Sequence, residues 1–308
     1  MKKNMGLFKY SSSNPALSMK IIRVATTRGI ELKGAFFGRE DSSSVLIIIT
    51  GLCSNVFQND LLPTTGDILA ENDIACIIGH CSDAFSFIAL SDLVAKKQKF
   101  TGTVEADFSY VYEDVDAYVQ YAKKLGFKHI ILGGHSLGSN KIIHYLATTT
   151  EKCIEYFIVS SPIDLKHWWD IIPDQEKYRS LAQKAVDDGR GDEVMPYIFS
   201  GFTPMRAKTV LALYNASHLK NTPVLTGDGE VDSLAAIDLK GAFIIGGIDK
   251  VVGDNPKEFI TKINACCKHA AENKVITIEG ASHVFYGRHD DYAAIILDCL
   301  LNHHGLKP

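Results

Sequence analysis

The sequence predicts an α/β fold: a mostly parallel, doubly wound sheet that opens with an antiparallel hairpin and carries a helical cap as an insertion. Three observations lead there. Short, wholly apolar runs recur along the 308 residues. Helical patterns alternate with those runs, and one long apolar insert between about Asp164 and Leu239 interrupts the alternation. Continuous apolarity implies strands covered on both faces, and strand–helix alternation implies parallel crossovers.

Residues 1–18, rich in Ser, Asn and Lys, read as a loose arm. "KIIRVATT" and "IELKGAFF" follow, with Arg28-Gly29 between them as a hairpin turn. Buried strands are expected at 44–50, 74–80, 128–134, 155–161, 241–247 and 273–280. In "EADFSYVYEDVDAYVQYAKKLG", Phe108, Val111, Val115, Val119 and Ala122 recur at helical spacing, and Gly126 ends the run. Further helices are expected at 138–149, 256–272 and 289–302. The core then comprises 19–163 and 240–308. The insert 164–239 is too long for a crossover and too apolar for a linker, so it is expected to cap one end of the sheet, with helices at 174–188 and 204–215. Residues 81–104 form a second long connection, expected on the same rim.

Composition narrows the functional classes. With 46% apolar and 22% charged residues and a net charge of -4, the chain is of globular type and has no basic stripe for nucleic acid. The N-terminus lacks the apolar run of roughly 7–15 residues that a secretory signal requires, and no stretch approaches the roughly 18 needed to span a bilayer. A cytoplasmic protein without a membrane partner is therefore expected. The seven cysteines are scattered, which suits free thiols in a reducing compartment. The sequence does not indicate an oligomeric state.

The chemistry-bearing stretch is "ILGGHSLGSNK", residues 131–141. Ser136 stands between an expected strand and an expected helix, with Gly134 and Gly138 flanking it, which is the pattern of a strained elbow that exposes a nucleophile. A phosphate-loop reading fails, because Ser139 stands where that loop needs lysine. A serine nucleophile needs a base, and the base needs an orienting acid. Asp249 lies just past the run "GAFIIGG", and His283 just past "VITIEG". Parallel strands bring such positions to one sheet edge, and the order Ser, Asp, His suits this arrangement. Asp164 in "SSPIDL" competes with Asp249 as the acid.

An oxyanion needs backbone N–H donors. Leu137 supplies one, and the loop Thr50-Gly51-Leu52 the other, with Leu52 the candidate and Cys53 its nearest rival. Substrate-binding candidates are Cys53, His80, Trp168, Trp169 and Phe202. The tryptophan pair reads either as lid packing or as a substrate platform. His135 is expected to pack beside the elbow, whereas His144, His269, His303 and His304 read as helix-face or tail residues. "RGD" at 190–192 reads as a turn. "HDDY" at 289–292 sits at a helix start, where Asp is favoured. Without HExxH or CxxC spacing, neither a metal nor another cofactor is expected.

These residues resemble the α/β-hydrolase superfamily from about 20 to 304, through Gly134-His135-Ser136-Leu137-Gly138, Gly246 to Val252 and Gly280 to His283. A narrower similarity, in "DVDAYVQYAKKLG", "GGHSLGSNKIIHYL" and "TPMRAKTVLAL", is to the family containing fungal fusarinine-type siderophore esterases. Here Leu137 follows the serine where a smaller polar residue is usual, and "TGLCSN" replaces a more glycine-rich loop. The expectation is a serine hydrolase that cleaves an ester-type bond of a medium-sized, partly apolar small molecule. A thioesterase, amidase or acyltransferase would use the same residues, and a non-catalytic binding protein of the same fold would keep only the pocket.

Overall fold

A computed structural model describes residues 19–58, 60–199, 203–216 and 232–307. The expected N-terminal arm and Phe202 lie outside them.

Strands β3 (Ser44–Ile49), β4 (Ile74–Gly79), β7 (His129–His135), β8 (Ile154–Ser160), β11 (Gly241–Gly246) and β12 (Lys274–Ile278) form a parallel array in the order β12-β11-β8-β7-β3-β4. β3, β4 and β11 are buried at every residue, and their apolarity is continuous because both faces are covered. β12, expected as a buried strand, is instead the sheet edge, where only Ile278 is buried and Val275 is exposed. Along β3, Val45, Ile47 and Ile49 join the layer beneath helices α2 (Val111–Leu125), α3 (Leu137–Thr148) and α8 (Pro256–Ala265). Leu46 and Ile48 face the opposite layer, under α1 (Leu61–Glu71) and α9 (His289–Asp298).

The other end of the sheet is antiparallel. β1 (Lys20–Ala25) pairs along the length of β2 (Ile30–Phe37), leaving the opposite edge of β2 to β4 and to β5 (Ile88–Asp92). β5 turns back into β6 (Lys97–Thr101). The segment 81–104, expected as a rim connection, thus extends the sheet. Its strands escape a hydrophobicity reading because Lys97, Gln98 and Phe100 are exposed and Leu90 is the only fully buried residue of β5.

The insert holds α4 (Leu165–Asp170), α5 (Gln175–Asp187), α6 (Ala207–Ala216), α7 (Asp232–Ala236) and a ribbon of β9 (Val194–Phe199) with β10 (Thr203–Arg206). The helix expected from 204 begins at Ala207, because Pro204 lies in the edge strand β10, where its missing N–H costs little. Trp169, Met205, Val210 and Leu213 share a small core with Leu137 and Ile163, seating the insert on the sheet rim that carries Ser136. Two further boundaries move. α8 stops at Ala265 rather than 272, where the Asn264 side chain donates to the Ala270 carbonyl and accepts from the Asn273 side chain. α9 stops at Asp298 and continues as a π-helical turn, Cys299–His304.

Among the described residues, no helix is long and apolar enough to cross a membrane.

Candidate active site

Ser136 lies between β7 and α3 with φ 58° and ψ -134°, a region that a side chain other than glycine occupies only under strain. Local packing imposes it. A Cβ on Gly138 would sit 2.0 Å from the Ile49 carbonyl oxygen, and one on Gly134 2.4 Å from that of Gly138. Only hydrogen fits at either position, so strand and helix can meet at this sharp angle. The Ser136 amide donates to the Ser160 carbonyl (3.0 Å), and the Ser139 hydroxyl accepts the Ser160 amide (2.9 Å), fastening the turn to the end of β8.

Asp249 follows β11 and is fully buried. Its Oδ1 accepts the Val251 amide at 3.0 Å, and its Oδ2 lies 2.8 Å from His283 Nδ1. Burial alone would raise the pKa of this carboxyl. The hydrogen bond and charge of His283, with the Val251 amide, outweigh burial and hold it below the usual range. Past β12, the Nε2 of His283 lies 2.9 Å from Ser136 Oγ. Since a carboxylate only accepts, Nδ1 carries the proton in the neutral ring and Nε2 is free to accept from the serine.

His135 steadies this arrangement from below. Its Nε2 donates to the His283 carbonyl at 2.9 Å, and burial, aided by nearby His283, pushes its imidazole down to about 4. The sequence placed it beside the elbow but could not identify the loop it holds. Asp164, the competing acid, instead caps α4 by accepting the His167 amide at 3.0 Å.

A cavity of about 190 Å³ opens over Ser136. Leu52, Leu137, Cys53 and Trp168 line it with Ser136 and His283. Leu137 is the first residue of α3, where an N–H has no partner within the helix. Two expected pocket residues are absent from the lining. His80 is buried behind the loop that follows β3, where its Nε2 accepts the Val56 amide at 3.1 Å, and burial pushes it down to about 4. Trp169 turns into the core of the insert, with its Nε1 2.5 Å from Gln175 Oε1. The tryptophan pair therefore divides: Trp168 faces the cavity and Trp169 packs.

Several lining residues went unread in the sequence, among them Gln58, Ile163, Leu165, Val251 and Val284. Such residues carry no motif of their own, although Ile163, Leu165, Val251 and Val284 each lie next to, or two residues from, Asp164, Asp249 or His283, and Gln58 lies a few residues past Cys53. Among the described residues, no Asp, Glu, Lys or Arg lines the cavity.

Comparison with solved structures places this architecture in the α/β-hydrolase fold. The α/β hydrolase GrgF from Penicillium sp. sh18 is similar over 94% of this chain and 100% of its own, at 15% identity and a TM-score of 0.69. Est1E from Butyrivibrio proteoclasticus, solved with ferulic acid bound, is similar over 92% and 98%, at 15% identity and a TM-score of 0.61. An esterase of Pyrococcus furiosus, Pf2001, is similar over 92% and 90%, at 18% identity and a TM-score of 0.57. By sequence, the chain belongs to the family described as "Protein of unknown function (DUF1749)", whose model matches residues 100–293. No curated protein matches the chain.

Proposed function

We propose that the chain is a serine hydrolase acting on carboxylic esters. The observation that carries the reading is the unbroken line from Asp249 through His283 to Ser136, with spacings of 2.8 and 2.9 Å. His283 Nε2 takes the hydroxyl proton as Ser136 Oγ attacks the ester carbonyl, and the Leu137 and Leu52 amides receive the charge on its oxygen. The tetrahedral species collapses, the alkoxide leaves with the proton from His283, and an acyl-serine remains. Water, deprotonated by His283, then attacks that acyl group, and Ser136 recovers its proton as the acid departs.

The lining supports a neutral, largely apolar acyl group of medium size, with Trp168 and Leu165 against it, because no charged side chain among the described residues could pair with a free carboxylate or phosphate there. The esterase among the structural neighbours, and the ferulic acid bound in another, fit an ester substrate.

The test is turnover of p-nitrophenyl esters of increasing acyl length by the full chain and by Ser136→Ala. The expected result is hydrolysis by the wild type that improves from acetyl to medium chains and is lost in the variant. Activity retained by Ser136→Ala overturns the mechanism. Faster turnover of acyl thioesters or amides than of esters redirects the substrate class, and no turnover at all favours a binding protein.

A further inference from the structure

The loop that offers the Leu52 amide is tied to a buried charge. Lys141 lies on α3, five residues after Ser136, and its side chain has 0% exposure. A buried ammonium is costly unless it is paired and hydrogen-bonded. Its Nζ lies 2.5 Å from Asp83 Oδ1 and donates to the Thr50 carbonyl at 3.5 Å. Burial favours the neutral amine, but Asp83 and, farther off, Asp114 outweigh it, so the lysine stays charged. Asp83 sits in the turn after β4, where its carbonyl accepts the Thr103 hydroxyl at 2.7 Å.

Thr50 is the first residue of the expected oxyanion loop, just past β3, and its carbonyl shares a rigid peptide plane with the Gly51 N–H. Drawing that carbonyl towards α3 restrains the rotation of the plane and so narrows the range from which Gly51 can launch the next peptide, which carries the Leu52 N–H. The loop has little room beside the nucleophile: a Cβ on Gly51 would lie 2.7 Å from Ser136 Cβ and 2.9 Å from its Oγ.

We infer that Lys141 and Asp83 are positioning residues for the oxyanion loop: Asp83 holds the ammonium, the ammonium holds the Thr50 carbonyl, and the Leu52 amide is thereby aimed before substrate arrives. Neither residue touches substrate. The inference rests on Ser136 being the nucleophile.

An ion pair serving only to staple α3 to the β4 turn would be replaceable by apolar side chains without loss of rate, since exchanging a whole buried pair is often neutral for stability. The test is therefore Lys141→Met combined with Asp83→Leu. The expected variant melts near the wild-type temperature and keeps KM within about twofold, with kcat roughly 10–100-fold lower and fluorophosphonate labelling of Ser136 slowed in the same measure. A stable double variant with wild-type kcat overturns the inference. Should that variant not fold, Asp83→Asn keeps the volume and an acceptor oxygen. It is expected to lower kcat several-fold at unchanged KM, and full kcat contradicts the inference. A wild-type chain that takes no label overturns the nucleophile reading together with this one, whereas equally fast labelling of wild type and double variant overturns this one alone.

Discussion

On the floor of the cavity the polar groups are tied to one another: Ser136 to His283, His283 to Asp249, Asp249 to the Val251 amide, and the His283 carbonyl to His135. The roof is different. From the insert, Leu165 and Trp168 face the cavity and bring no group suited to exchange a proton with the serine. The floor rests on the ends of three parallel strands, β7 and β11 within the sheet and β12 at its edge, while the roof is an insert whose small core reaches down to Leu137 and Ile163. Under the proposed mechanism, this separation would set rate below and selectivity above.

The sharpest break in that comparison would come from Ser136→Ala. It is expected to lower kcat by roughly 10⁶-fold, with thermal unfolding unchanged, and steady-state kinetics beside calorimetry measure both. Asp249→Asn follows, at roughly 10⁴-fold in kcat, because an amide no longer selects the tautomer that leaves Nε2 free. Combining it with Ser136→Ala is expected to add almost nothing, since the two act as a unit. The roof is expected to answer differently. Trp168→Ala should raise KM for medium-chain esters about 10-fold, in line with lost apolar contact, while kcat for the shortest ester stays near wild type. A large fall in kcat on acetyl esters would mean that the roof also shapes the reacting geometry.

The smallest effect concerns stability. His80 and His135 have imidazoles lowered from 6.5 to about 4, chiefly by burial. Between those values the unfolded chain binds more protons than the folded one. Their contribution is complete above 6.5 and is lost as the pH falls to about 4. Urea unfolding across that window should show declining stability. His80→Gln, whose amide oxygen can still accept the Val56 N–H, should flatten part of the slope.

The floor was legible in the sequence because its residues sit at breaks between patterns. Ser136 stands where an apolar strand meets a helix, and Asp249 and His283 stand just past apolar runs, so topology alone converges them. The role of His135 and the Lys141–Asp83 pair were not legible, because each depends on contacts between residues distant in the chain. His80 was misread for the same reason: it ends a strand at the correct rim, but its ring turns behind the loop to meet Val56. The hairpin β5–β6 was missed because Lys97 and Phe100 face solvent and break the apolar run that marks a buried strand. Within the insert, Pro204 in an edge strand defeated a helical reading that the following residues satisfy.

Mass spectrometry of the intact protein after a fluorophosphonate, followed by peptide mapping, tests the central claim most directly. One adduct per chain, carried on Ser136 and lost in His283→Ala, is the predicted result. A folded wild-type chain that takes no adduct, or takes it on another residue, would contradict the account.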